Sequence, residues 1–146
     1  MNMEQSSLAL VPYTLNNPFG DVLTLSERIF SVAPTADSSI DIRISQQYKP
    51  DGKGGTSLGF GASVYHCAVV LGKFVEMHTD LYDLKHKQVL ELGCGTGFLS
   101  VLCSVLGAKF VLATDGDEGS VELSRQNFLA NSAALSGAYR CSRLLW

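Results

Sequence analysis

An α/β fold with a parallel sheet is predicted by three features of the sequence. A short apolar run, Val89–Leu92, precedes glycines at positions 93, 95 and 97, and an apolar-periodic segment, Phe98–Leu106, follows them. This order is typical of a buried strand, a tight turn and a helix. A second strand, Phe110–Thr114, ends in Asp115, about twenty residues after the turn, where a carboxylate can accept hydrogen bonds from a ribose. The unit is therefore predicted to bind a nucleoside.

The glycine spacing separates two kinds of nucleoside ligand. The dinucleotide fingerprint G-x-G-x-x-G needs a third glycine at position 98, which is Phe98 in this chain. The glycines present, Gly93, Gly95 and Gly97, follow G-x-G-x-G instead. This spacing argues against half of a nicotinamide-dependent reductase. For the turn alone, an ordinary tight connection between a strand and a helix is the alternative.

Composition describes one globular domain. The chain has 146 residues, of which 46% are apolar and 17% charged, and its net charge is −3. The charge gives no reason to expect nucleic acid as a partner, and no apolar run approaches the roughly eighteen residues of a membrane span. Residues 1–12 have no basic region leading into a long apolar core, so we expect no secretory signal and no membrane partner.

The cysteines and histidines predict neither a disulfide framework nor a metal site. The four cysteines are far apart without C-x-x-C spacing, and the three histidines lack the spacing of metal ligands. The absence of a disulfide pattern fits a reducing compartment. We therefore expect a cytoplasmic protein, with the nucleus as a second compartment.

The N-terminal half is predicted to contain a hairpin, a loop and a helix. Strands Arg28–Val32 and Ile40–Ser45 are joined by a turn at Pro34–Ser38, and the second strand alternates apolar and polar residues. The glycine-rich segment Tyr48–Gly61 is predicted to be a mobile loop, either a lid or a plain connector. Apolar residues at three- and four-residue spacing predict a helix over Val64–Met77.

The C-terminal part is predicted to add a helix and a third strand. Asp117 is a plausible N-cap, with Ser120 three positions on, and the helix is expected to end near Asn131. The remaining tail, Ala138–Trp146, alternates loosely and predicts a strand that ends in Trp146.

Several stretches together resemble one family. They are Gly61-Ala-Ser-Val-Tyr-His-Cys-Ala-Val-Val-Leu, then Leu90-Glu-Leu-Gly-Cys-Gly-Thr-Gly, and Thr114-Asp115. The chain is similar to the methyltransferase-like protein-lysine methyltransferases, which have a class I, seven-strand, Rossmann-like fold and use S-adenosylmethionine (SAM). The resemblance implies an N-terminal extension with a hairpin over residues 1–60 and the first half of a SAM-binding domain over residues 61–146.

The resemblance also implies a set of cofactor contacts. Gly93, Cys94 and Gly95 would line the methionine end of SAM through backbone atoms, and Asp115 would hold the ribose hydroxyls. The family usually has a Trp before the glycine motif, where this chain has Tyr65. Trp146 falls where the family has a Trp near the adenine. Simple core packing is the alternative for both aromatic residues.

The implied reaction is direct transfer of the SAM methyl group to a neutral lysine amine of a protein substrate, such as a chaperone or translation factor. The sulfonium already activates the methyl group, so no catalytic nucleophile is named. The sequence accounts for about three of the seven strands, and no acidic-to-aromatic motif follows them. We therefore expect an N-terminal part of such a protein, inactive alone, with the edge of strand Val89–Leu92 left open. A methyltransferase-like scaffold without activity is the second hypothesis.

Overall fold

The computed structural model describes residues 20–48 and 59–146. A short helix, α1 (Gly20–Thr24), leads into a hairpin of two antiparallel strands, β1 (Glu27–Thr35) and β2 (Ser38–Ser45). Most of the predicted loop Tyr48–Gly61 lies outside the described residues. The chain resumes with a short 3-10 helix, Gly59–Ala62, in which the predicted boundary at residue 60 falls. That division into two domains stays a prediction.

The remaining elements alternate between helix and strand. In order they are α2 (His66–Met77), β3 (Gln88–Leu92), α3 (Phe98–Val105), β4 (Phe110–Asp115), α4 (Glu118–Ala130) and β5 (Ala138–Arg143). The three strands form one parallel sheet in the order β3-β4-β5. Parallel neighbours need a crossover connection, which α3 and α4 supply. The predicted α/β, Rossmann-like class with a hairpin extension is confirmed.

One hydrophobic core joins the hairpin to the sheet and its helices. Ile42 and Ile44 of β2 are fully buried, together with Val101 of α3 and Val111 of β4. The ring of Phe30 in β1 lies 4.4 Å from the ring of Phe98, measured between centroids. Alternation in β2 is confirmed, because Ile42 and Ile44 face this core while Asp41 and Arg43 are exposed. The hairpin is thus packed onto the helical face of the sheet.

The opposite face of the sheet and its β3 edge are open in the part of the chain described. Within that part no strand pairs with the outer edge of β3. Leu90 and Leu92 are each 57% exposed, because their side chains alternate away from the face that α3 covers. The open edge expected from the sequence is therefore present among the described residues.

The predicted hairpin turn is wrong in its bounds, and two helices expose part of their apolar residues. The strand β1 continues through Pro34, and the hairpin turn is shorter than predicted, because a register irregularity between Val32 and Thr35 lets β1 extend. Leu71 and Phe74 of α2 are about half exposed, whereas Gly72 carries the close contact with α3. Leu129 of α4 is 59% exposed, whereas Val121, Leu123 and Phe128 of the same helix are buried.

The tail also differs from its prediction. The third strand, β5, ends at Arg143 instead of at Trp146. The Leu144 N–H still donates to the Asp115 carbonyl at 2.9 Å, but the two residues that follow have no such bond to β4 among the described contacts. Among the described residues, no helix is both long and apolar enough to cross a membrane.

Candidate functional site

The turn after β3 depends on glycine backbone angles. Gly93, Gly95 and Gly97 have φ angles of 74°, 51° and 77°, in the left-handed region that other residues rarely adopt. The Cys94 N–H donates to the Thr114 carbonyl at 2.8 Å, so the turn begins as a continuation of the sheet ladder. The Gly97 N–H closes it by donating to the Cys94 carbonyl at 2.7 Å. The sequence G-x-G-x-G thus specifies this turn, which we call the glycine turn (residues 93–97).

One side of the glycine turn is packed and the other is open. A Cβ atom on Gly95 would lie 3.3 Å from the Cα of Gly61, so the segment before α2 rests directly against the turn. A Cβ atom on Gly61 would in turn overlap the Ser120 Oγ at 2.1 Å. At Gly93 no atom lies within 4 Å of the equivalent position. The backbone is therefore accessible to a ligand at Gly93.

Asp115 lies at the carboxyl end of β4, beside the glycine turn. Its Oδ2 accepts the Gly95 N–H at 2.9 Å and its Oδ1 accepts the Asp117 N–H at 3.0 Å. These bonds fix the plane of the carboxylate. An ionised carboxylate has about four acceptor positions, so capacity for two ribose hydroxyls is left. Asp115 also supports the turn, a role that its position in the sequence did not reveal.

These elements enclose a cleft of about 750 Å³, within the range of small-molecule sites. Three walls form it: the segment that leads into α2, the glycine turn with its flanking residues, and the ends of β4 and α4. The lining residues are Gly61, Ser63, Val64, Tyr65, Cys67, Ala68, Leu71, Glu91, Leu92, Gly93, Cys94, Gly95, Thr96, Phe98, Leu99, Asp115, Asp117 and Ser120.

Five of the six residues predicted from the sequence line this cleft: Tyr65, Gly93, Cys94, Gly95 and Asp115. The sixth, Trp146, does not. It follows the end of β5, is 74% exposed and is not among the lining residues. The cleft lies at the carboxyl ends of β3 and β4, beside the glycine turn and the segment that leads into α2. The structure therefore brings five of the predicted residues into one cleft and leaves Trp146 outside it.

Tyr65 forms part of the wall that precedes α2. Its backbone is extended, with φ −74° and ψ 155°, and it occupies the N-cap position of the helix. The side chain is 37% exposed, and partial burial, followed by the neighbouring Tyr48 and Cys67, raises its pKa. The hydroxyl is therefore neutral at physiological pH. Tyr65 offers the cleft an aromatic ring with an uncharged polar end.

Cys94 contributes its backbone, and its thiol is not reactive. The side chain is 6% exposed, and burial raises the pKa of the thiol to about 12. The thiolate, which is the nucleophilic form of cysteine, is therefore not populated near neutral pH. Cys94 is a structural residue of the turn.

Glu91 is a cleft residue that the sequence motifs did not predict. It lies directly before the turn, its side chain lines the cleft, and its Oε2 accepts a hydrogen bond from the Ser100 hydroxyl. Burial raises its pKa from an ordinary value of 4.5 to about 7; the Ser100 bonds oppose this shift and the charge of Asp115 adds to it. Glu91 thus changes charge near neutral pH.

The charged residues that line the cleft in the described part of the chain are all acidic. Glu91, Asp115 and Asp117 line it, and no lysine or arginine is among the lining residues of the described chain. Asp117 keeps its predicted role as N-cap of α4, since its Oδ2 accepts the Ser120 N–H at 2.7 Å. A cleft lined by carboxylates favours a cationic ligand over an anionic one.

Known proteins resemble this chain. The family model described as ribosomal protein L11 methyltransferase (PrmA) matches residues 73–140. Protein N-lysine methyltransferase METTL21A of Danio rerio is 38% identical over 141 residues, which cover 95% of this chain and 57% of that protein. Protein-lysine N-methyltransferase EFM3 of Chaetomium thermophilum is 39% identical over 87 residues, which cover 59% of this chain and 25% of that protein. Among solved structures, the ribosomal protein L11 methylase of Lactobacillus delbrueckii subsp. bulgaricus matches with a TM-score of 0.45 and 24% identity, over 77% of this chain and 57% of that one.

The sequence matches support the methyltransferase family that the motifs around the glycine turn predicted. Its relatives over most of its length are protein-lysine methyltransferases, as the sequence motifs predicted. The chain spans 57% of the length of the first of these relatives and 25% of the second.

The glycine turn generates a prediction about stability. Gly93→Ala should cost only the left-handed backbone angle, about 1–2 kcal/mol. Gly97→Ala should cost about 1–3 kcal/mol more through overpacking, since its Cβ would lie 2.3 Å from the Ser124 Oγ and 3.1 Å from the Ser124 Cα. Urea unfolding of both variants measures the difference. Equal losses of unfolding free energy would show that the turn does not pack against α4 as described.

Glu91 generates a prediction about pH. Between about pH 4.5 and 7 the folded protein holds a proton that the unfolded chain has released, so the unfolding free energy should fall as pH rises through this window. Glu91→Gln, which keeps an acceptor for Ser100 but does not titrate, should remove this part of the decline, on the order of 2 kcal/mol. Urea unfolding at pH 5 and pH 8 tests it. Parallel pH profiles for the two proteins would contradict the buried, neutral Glu91.

Proposed function

We propose that the cleft is the SAM-binding site of a protein-lysine N-methyltransferase. The observation that carries the proposal is the arrangement of the glycine turn, the fixed Asp115 carboxylate and Tyr65 around one acidic cleft. The relatives that cover most of the chain are named protein-lysine methyltransferases, which supports lysine in a protein as the methyl acceptor.

The residues of the cleft fit SAM in both charge and shape. SAM carries a sulfonium and an ammonium group, whereas a dinucleotide carries a pyrophosphate. Carboxylates line the cleft, and among the described residues no lysine or arginine lines it to meet a phosphate, so the electrostatics favour SAM. The open space at Gly93 admits a ligand against the backbone, and Asp115 has acceptor capacity for a ribose diol.

The contribution of the chain to the reaction is binding and orientation. When bound, SAM would supply a methyl group on a sulfonium: a neutral lysine amine bonds to the methyl carbon while the C–S bond breaks and S-adenosylhomocysteine leaves, so no enzyme nucleophile is needed. The Asp115 carboxylate would hold the ribose, the backbone at Gly93 and Gly95 would hold the amino acid part, and Tyr65 would pack against the ligand. Fixing the donor in one orientation lowers the entropic cost of an in-line transfer. The neutral Cys94 thiol takes no part in the chemistry.

The substrate proposal extends to the type of protein. By resemblance to its family, we infer a lysine of a chaperone or translation factor as the methyl acceptor. The absence of a disulfide pattern in the sequence favours the cytoplasm, with the nucleus as a second compartment.

Ligand class is the first prediction of this proposal. Isothermal calorimetry should detect binding of S-adenosylhomocysteine, the stable product of methyl transfer, and no binding of NADH at the same concentration. The reason is that no cation lines the cleft in the part of the chain that the structure describes, together with Phe98 in place of the third dinucleotide glycine. Binding of NADH alone would overturn the assignment.

Asp115 provides the second prediction. Asp115→Ala should weaken S-adenosylhomocysteine binding roughly ten- to a hundredfold, because hydrogen bonds to a charged acceptor contribute about 1.5–3 kcal/mol. Asp83→Ala is a matched control: the Asp83 Oδ1 accepts the N–H of Lys85, two residues on, at 3.0 Å, as Asp115 does with Asp117, but Asp83 does not line the cleft.

The control should bind as tightly as the parent protein. The affinities are measured by calorimetry at a temperature where thermal unfolding shows both variants to be folded. Parental affinity in Asp115→Ala would exclude this carboxylate as a ligand of the ribose.

A further inference from the structure

Two buried asparagines, Asn127 in α4 and Asn131 at its C-cap, connect the hairpin to the rest of the molecule. Asn127 is fully buried. Its Oδ1 accepts the Ser45 N–H at 2.8 Å, and its Nδ2 donates to the Ser45 carbonyl at 3.0 Å and to the Thr96 carbonyl at 2.9 Å. The Oδ1 atom and both N–H groups of its amide are thus bonded, to β2 and to the glycine turn.

Asn131, one helical turn later, makes nearly the same set of bonds. Its Oδ1 accepts the Arg43 N–H at 2.9 Å, and its Nδ2 donates to the Arg43 carbonyl at 2.7 Å. The third bond differs, because Nδ2 donates to the Asn127 carbonyl within α4, at 2.7 Å. The two amides therefore bond backbone groups of β2 as a neighbouring strand would. Only Asn127 also reaches the glycine turn.

We propose that Asn127 is a positioning residue for the cofactor site, holding the glycine turn in its ligand-binding conformation from the hairpin. The inference rests on the proposed function, since it takes the glycine turn to be part of the SAM site. The N-terminal hairpin would then contribute to cofactor binding by positioning the glycine turn.

The position of Thr96 explains why such an anchor is needed. Thr96 lies between Gly95 and Gly97, both of which have positive φ and the widest choice of backbone angles. Its side chain is buried, 3% exposed, so water has little access to its carbonyl. The Asn127 amide satisfies that carbonyl and selects one orientation of the peptide. Without it the turn would populate other conformations, and the apparent affinity would fall by the fraction of competent turn.

The hairpin end also holds the opposite wall of the cleft. The Gln46 Oε1 accepts the Val64 N–H at 2.7 Å, and the Arg28 Nη1 donates to the Val64 carbonyl at 2.8 Å. Ser45, the partner of Asn127, is adjacent to Gln46. The same end of the hairpin therefore sets the distance between the segment before α2 and the glycine turn.

The experiment compares Asn127→Leu with Asn131→Leu. Each substitution is close in size and removes three hydrogen bonds, two of them to β2, so both weaken the attachment of the hairpin. Asn127→Leu should lower S-adenosylhomocysteine affinity at least about tenfold, whereas Asn131→Leu should stay within about twofold of the parent. Calorimetry is done where thermal unfolding shows each protein to be folded. Equal losses in the two variants would reduce Asn127 to a structural residue, and parental affinity in Asn127→Leu would also overturn the proposal.

A second measurement needs no ligand. The Gly97 N–H, bonded to the Cys94 carbonyl, should exchange faster with deuterium in Asn127→Leu than in Asn131→Leu, as measured by NMR. Unchanged exchange would contradict the proposal even if the parent protein failed to bind S-adenosylhomocysteine, a result that would count against the proposed function alone. Should a Leu variant not fold, Asn127→Asp and Asn131→Asp replace the pair, because aspartate keeps the acceptor and removes the donor. The expectations for S-adenosylhomocysteine affinity and for Gly97 N–H exchange stay the same.

Discussion

The close contact between the glycine turn and the segment before α2 is the constraint on which the rest of the site depends. Gly95 and Gly61 meet backbone to backbone, and a side chain on either would force them apart. Asp115 holds the turn from the side of β4 through the Gly95 N–H. The hairpin holds the other wall through Val64. A cleft for a ligand follows because these supports converge around Gly93 without filling the space above it.

The electrostatics of the cleft follow from the same packing. Glu91 and Asp115 lie on adjacent strands of the sheet, and burial together with their mutual repulsion keeps the pKa of Glu91 near 7. A bound cation would favour the ionised form of Glu91, so ligand binding and proton release are coupled in sign. A cationic ligand would thus lower the electrostatic cost of ionising Glu91 beside Asp115. A turn with a purely structural role would not need these two acidic groups.

Local patterns and the family resemblance predicted the fold class and five residues that line the cleft, whereas long-range packing was beyond them. Asp115 was found because its distance from the turn is fixed by one helix and one strand. Trp146 was assigned to the site by resemblance, and the structure does not bring it to the cleft. The exposure of Leu71 and Phe74 depends on which neighbours cover α2, and helical periodicity cannot tell which apolar stripe is covered. Asn127 carries no local signal at all, since its partner Ser45 lies 82 residues away.

The central claim is that the cleft beside the glycine turn binds SAM. The most direct test is to titrate the ¹⁵N-labelled protein with S-adenosylhomocysteine and follow the backbone amide signals by NMR. The account predicts that the largest shifts occur at Gly93, Gly95 and Asp115, with little change at the hairpin turn, residues 36–37. Shifts that cluster elsewhere while the glycine turn stays unchanged would contradict it.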